Sequence, residues 1–178
     1  KNKIKKISNA WEYYFEPINE YKLDDVYKAK FVIVVDGKTR KKKEFDIFQK
    51  KHYSILKKYI RIKKEILDEV KNFMKRNFLN KKVLGVHFRG TDMKTQERHP
   101  YPATIEQIIS YIDYEIKKHN YKKIFLVTEE LNYMTKLKKK YKNQICYYDS
   151  FRSKKPDIFE NKRKNHRYLI GKENIIDM

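Results

Sequence analysis

Four side chains placed just after a short apolar run are the part of this chain best suited to chemistry. Within Lys81–Glu97, the run Val83-Leu84-Gly85-Val86 turns abruptly into His87, Arg89, Thr91 and Asp92. A hydrophobic strand that ends in such a cluster is how open α/β sheets present ligand-binding groups at a strand's carboxyl edge. Two of the four glycines, Gly85 and Gly90, lie in the same stretch. Gly90 is expected where the backbone turns sharply or approaches a ligand closely. The plainer reading is a strand followed by a solvated loop. Neither the G-x-G-x-x-G fingerprint nor the G-x-x-x-x-G-K-[ST] loop occurs, so phosphate would have to be held by side chains. Arg89 is the natural candidate, because a guanidinium grips a diphosphate with paired hydrogen bonds and stays charged at every physiological pH. His52, His87, His99, His119 and His166 show no ligand spacing and no Asp-x-Asp unit is present, so no metal site is expected.

These side chains need a scaffold, and the rest of the sequence spells one out. Apolar positions from Ile47 to Phe78 recur with helical period. Ile55, Leu56, Tyr59 and Ile60 share one face; Ile66, Leu67, Val70, Phe73 and Met74 share another. The change of phase at Arg61–Lys64 predicts two helices or a kinked one. Beyond Pro102, Thr104 and Gln107 form a capping box, opening a helix that packs Ile105, Ile108, Ile109, Ile112 and Ile116. Then come a strand at Ile124–Val127, a helix at Leu131–Tyr141 and a strand at Gln144–Tyr148. The alternation implies parallel strands with right-handed crossovers, half of a Rossmann-like sheet. Near the amino end, Phe31–Val35 reads as a strand closed by Asp36-Gly37, and Lys41-Lys42-Lys43 reads as a solvated loop. The cluster Trp11 to Pro17 reads as a hydrophobic anchor.

The chain has 178 residues, a net charge of +21 and a pI near 9.8. Such a charge ordinarily suggests nucleic acid or an anionic surface. Here, however, lysines occur in nearly every segment, whereas a nucleic-acid footprint clusters on one face. The charge is read as compositional, and no nucleic-acid partner is expected. With 40% hydrophobic and 15% aromatic residues the chain can build a real core. The lone Cys146 excludes an internal disulfide and fits a reducing, cytoplasmic setting. It is expected to be a small buried residue. The chain begins without Met and stops within an apolar pattern, so both ends are expected to lie beyond it.

His87-Phe88-Arg89-Gly90-Thr91-Asp92 resembles the His-x-Arg-Arg-x-Asp signature of the α1,2-, α1,6- and protein-O-fucosyltransferase superfamily. With Glu97 five residues on, it is most similar to the α1,6 and bacterial nodulation-type members. Gly90 stands where many members carry a second Arg. The Trp11–Pro17 cluster, Thr128-Glu129-Glu130 and Asp149–Ser153 resemble further steps of the same family, although Thr128–Glu130 is better explained as a helix cap with acids in its first turn.

The resemblance implies an α/β, GT-B-type glycosyltransferase fragment, with residues 1–80 ending an acceptor-side domain and 81–178 opening the donor domain. It implies an inverting, metal-independent transfer of fucose from GDP-fucose to a glycan hydroxyl, with no cofactor, and leaves peripheral membrane association open. Arg89 would hold the diphosphate, His87 and Asp92 would lie at the nucleotide, and Glu97 would be the general base. Asp177, in Asn174-Ile175-Ile176-Asp177, would read guanine from an apolar helix begun at Asn174. With nothing further to fix Asp177, these 178 residues alone are expected to bind GDP poorly and to be inactive. A GT-B transferase for another nucleotide sugar and a basic nucleic-acid-binding module are the alternatives.

Overall fold

The computed structural model describes residues 4, 6, 7, 9–31, 42–90, 101–154 and 162–178. The chain forms two compact units, Lys1–Ile66 and Leu67–Met178. Thr91, Asp92, Glu97 and the expected strand residues Val32–Val35 lie outside the described residues.

In the first unit a 3-10 turn at Trp11–Tyr13 is followed by α1 (Leu23–Tyr27) and α2 (Lys42–Tyr59). The aromatic cluster does act as an anchor. Trp11 stacks on Phe15 at 4.3 Å and its indole N–H donates to the Glu16 carbonyl. Residues 14–16 pair with 61–63, through Glu16 N–H to the Arg61 carbonyl at 2.8 Å and Lys63 N–H to the Tyr14 carbonyl at 2.9 Å. Helix α2 starts inside the lysine run expected to be a loop. The expected break is present: α2 ends at Tyr59 and α3 (Lys64–Asn77) begins afresh. Yet Ile55, Leu56, Tyr59 and Ile60 remain exposed. Helical periodicity reveals an apolar face, not what covers it.

The second unit is built on three parallel strands, β1 (Val83–His87), β2 (Lys123–Val127) and β3 (Ile145–Cys146), in the order β1-β2-β3. Val83 pairs with Lys123, His87 with Val127 and Ile124 with Ile145. The crossovers are α4 (Ile105–His119) and α5 (Leu131–Tyr141). Thr104 and Gln107 form the expected reciprocal cap, and Asn120 closes α4 in the left-handed conformation that a short polar side chain tolerates. Alternation along β2 sorts the two faces. Ile124 and Leu126 enter a core with Phe88, Ile112, Tyr133, Met134 and Leu137. Phe125 points the other way, against Phe73 and Phe78 of the α3 segment at 5.5 and 5.6 Å. Cys146 is buried as expected, its thiol donating to the Ile124 carbonyl.

Two elements differ from expectation. Strand β3 covers only Ile145–Cys146, because Gln144 closes a 3-10 turn and Tyr147 and Tyr148 leave the ladder. The Arg152 guanidinium takes up the Tyr148 carbonyl at 2.8 Å and that of Ser150 at 2.7 Å. The chain rejoins β2's extension at Ser153, whose N–H donates to the Glu129 carbonyl. The last helix, α6, spans His166–Asp177 and so begins eight residues before Asn174. Gly171 and the polar residues between His166 and Asn174 hide its apolar period.

Candidate functional site

The carboxyl edge of the parallel sheet and one face of α6 enclose a cleft. From the strands come His87 at the end of β1, then Val127, Thr128 and Glu129 after β2, and Ser150 and Phe151 beyond β3. From α6 come Ile170, Glu173, Asn174 and Asp177. Those four stand at i, i+3, i+4 and i+7, so a single helical face supplies them all. The cleft holds about 410 Å³ of empty space, open solvent included.

Asp177 is the most unusual group in it. Its Oδ2 accepts a hydrogen bond from Ser150 Oγ at 2.9 Å, whereas Oδ1 is buried without a partner among the described residues. Burial pushes the carboxyl up, from an ordinary 3.8 to about 6. The Ser150 bond and the Arg152 charge oppose that shift and the Glu173 charge adds to it. An acid at this position is therefore held by the loop after β3, not left unanchored as the sequence suggested.

The neighbouring acid is braced more firmly. Glu173 accepts the Phe151 backbone N–H at 3.0 Å and pairs with Arg163 at 2.8 Å. The Phe151 ring meets the buried His166 edge-on at 4.6 Å, with the Arg163 guanidinium 5.3 Å from its centre. Phe151, Ile170 and Val127 thus give the cleft apolar walls, while Asp177, Glu173, Glu129 and His87 give it polar groups.

Of the residues singled out by sequence, His87 and Asp177 meet in this cleft although 90 positions separate their numbers. Arg89 follows His87 by two, is exposed, and is not among the residues lining the cleft. Asp92 and Glu97 lie outside the described residues.

The Thr128–Glu130 step is not the simple cap it resembled. Glu130, not Thr128, occupies the N-cap of α5, with no side-chain cap bond and no acid in the first turn. Thr128 is buried and accepts the Glu130 N–H at 3.2 Å, which leaves Glu129 facing the cleft. Glu173 and Arg163 carried no sequence signal by themselves. The four-residue interval from Glu173 to Asp177 becomes informative only once α6 is known to start at His166.

The unusual backbone angle expected at Gly90 is not present. No glycine among the described residues has a positive φ. A Cβ at Gly90 would strike the Glu130 carboxylate and come within 2.7 Å of the Tyr133 ring. A side chain there would require the Glu130 carboxylate and the Tyr133 ring to move.

Among the described residues no three His, Cys, Asp or Glu side chains converge to hold a metal ion. None of the described helices is long and apolar enough to cross a membrane.

No family model matches the sequence, and no curated protein matches it significantly. Two solved structures are similar: the NodZ α1,6-fucosyltransferase co-crystallised with GDP, at 15% identity and a TM-score of 0.46, and the fucosyltransferase NodZ from Bradyrhizobium, at 15% and 0.45. Each comparison covers 70% of this chain and 36% of the other, so the chain spans about a third of the length of those proteins.

Proposed function

We propose that this chain is the donor-binding side, with part of the acceptor side, of a GT-B-type transferase that moves fucose from GDP-fucose to a glycan hydroxyl. The observation that carries the reading is the half-satisfied carboxylate of Asp177 in an apolar-walled cleft, one oxygen bonded to Ser150 and the other without a partner among the described residues. A buried acceptor left unpaired is costly, so a ligand that brings an N–H to it is favoured. Guanine offers its ring N1–H and exocyclic amine along one edge. Adenine places an acceptor at the same ring position and would be repelled. Phe151 and Ile170 supply apolar surface for the flat base, and His87 lies beside the nucleotide.

The rest follows the signature resemblance. Arg89 holds the diphosphate and stabilises its charge as the leaving group departs. Asp92, with His87, binds the nucleotide. Glu97 takes the proton of the acceptor hydroxyl as its oxygen attacks the sugar's anomeric carbon and the bond to GDP breaks. The reaction inverts the anomeric centre and uses no metal, in a cytoplasmic enzyme. A basic nucleic-acid module is disfavoured by the acids that line the cleft.

Calorimetric titration with GDP, ADP and UDP tests the reading, with transfer from GDP-fucose measured alongside. GDP should bind in preference to ADP, and Asp177→Ala should abolish the preference. Equal binding of the three nucleotides by the native protein sinks the proposal.

A further inference from the structure

We propose that Ser150 is the positioning residue of the base-reading carboxylate: its hydroxyl, bonded to Asp177 Oδ2, fixes the orientation in which the carboxylate meets the nucleotide. The inference rests on the guanine reading above and adds to it a residue that decides the specificity.

An aspartate on the last turn of a helix can rotate about two side-chain bonds, and either oxygen could face the cleft. The 2.9 Å bond from Ser150 Oγ removes that choice. Ser150 is itself held. Its N–H donates to the Tyr148 carbonyl at 2.9 Å, and Arg152 clamps the carbonyls of both residues. Four residues earlier on α6, Glu173 takes the next backbone N–H of the same loop, that of Phe151. Loop and helix are therefore cross-braced at two successive loop residues, and the brace from Ser150 is the one that orients the reading group.

The bond also favours the ionised carboxylate, the form that can accept two N–H groups from the ligand. The charged or titratable groups that act on Asp177 are Arg152 in the loop, Glu173 on α6 and Tyr148 after β3. His87 and Glu129 line the same cleft. Among the described residues, Ser150 is the one that donates a hydrogen bond to the carboxylate.

The test compares native protein, Ser150→Ala, Ser150→Thr and Asp177→Ala by calorimetry with GDP and ADP across pH 5 to 8. A hydroxyl bonded to a charged acceptor contributes enough that Ser150→Ala should weaken GDP binding about tenfold and leave ADP unchanged. The midpoint of the pH profile for GDP should move upward, and Ser150→Thr should restore both. Circular dichroism melts of each variant separate unfolding from loss of recognition. An equal fall for GDP and ADP, or an unchanged GDP affinity and pH profile, overturns the role of Ser150. If Asp177→Ala retains the native preference for GDP, the guanine reading itself fails.

Discussion

The ring of Phe88 lies flat on that of Tyr133, with centroids 3.8 Å apart and planes 2° from parallel. This stack joins the residue after β1 to the first turn of α5. It leaves Gly90 against the Tyr133 ring and the Glu130 carboxylate, with no room for a Cβ. Gly90→Ala should therefore destabilise the protein by roughly 1–3 kcal/mol, the usual range for overpacking a well-filled site. Gly90→Arg, which restores the second arginine of the resembled signature, should cost more. Urea denaturation decides it, and an unchanged midpoint for both variants would count against the packing argument.

A second contact ties three elements of the sheet's other face. Tyr148 donates a hydrogen bond to Glu69 of α3, and Lys172 of α6 pairs with the same carboxylate. Burial alone would raise the Glu69 carboxyl, but the bonds from Lys172 and Tyr148 bring it below its ordinary 4.5. Its contribution to stability is therefore fully present above that ordinary value and fades as pH falls through the lower folded one. Tyr148→Phe should cost about 1–2 kcal/mol at pH 7. It should cost less in acid, where Glu69 is protonated. A pH-independent loss in thermal melts would refute the pairing.

Asp177 behaves in the opposite sense. With its folded value raised to about 6, the folded state holds a proton that the unfolded chain has already released. Stability attributable to this group falls as pH rises from about 4 to 6 and is level above that. Asp177→Asn should raise the melting temperature at pH 7 and leave it unchanged near pH 4. GDP binding should run the other way, weakening as pH drops through about 6, since a protonated carboxyl is a poorer acceptor. A flat GDP profile across that range would contradict it.

Arg89 and Glu97 are tested by turnover. If Arg89 holds the diphosphate with a fork of N–H groups, Arg89→Lys should lower kcat/KM by about a hundredfold or more, because a point charge cannot replace the paired bonds. Glu97→Gln should depress transfer while leaving GDP affinity intact, as expected of a base acting on the acceptor. Near-native turnover in either variant reassigns that residue to the solvated loop.

Local physics made much of the second unit legible in the sequence. The β-branched and apolar run at 83–86, the Thr104–Gln107 cap and the 3.6-residue spacing of isoleucines in α4 depend on near neighbours. So do the alternating faces of β2. The parallel order follows from strand-helix-strand alternation. The cleft depends on distant ones. Asp177 could be named only by resemblance. Its buried, half-satisfied carboxylate exists because α6 begins at His166 and brings Asp177 within 2.9 Å of Ser150, 27 positions away. The shortness of β3 follows from Arg152 and Glu69 taking up Tyr148, and the need for glycine at 90 from Glu130 and Tyr133. Periodicity records which face of an element is apolar. Which side chains close on one another across a loop and a helix is decided by packing, because burial, not proximity in the chain, sets the cost of leaving a polar atom unpaired.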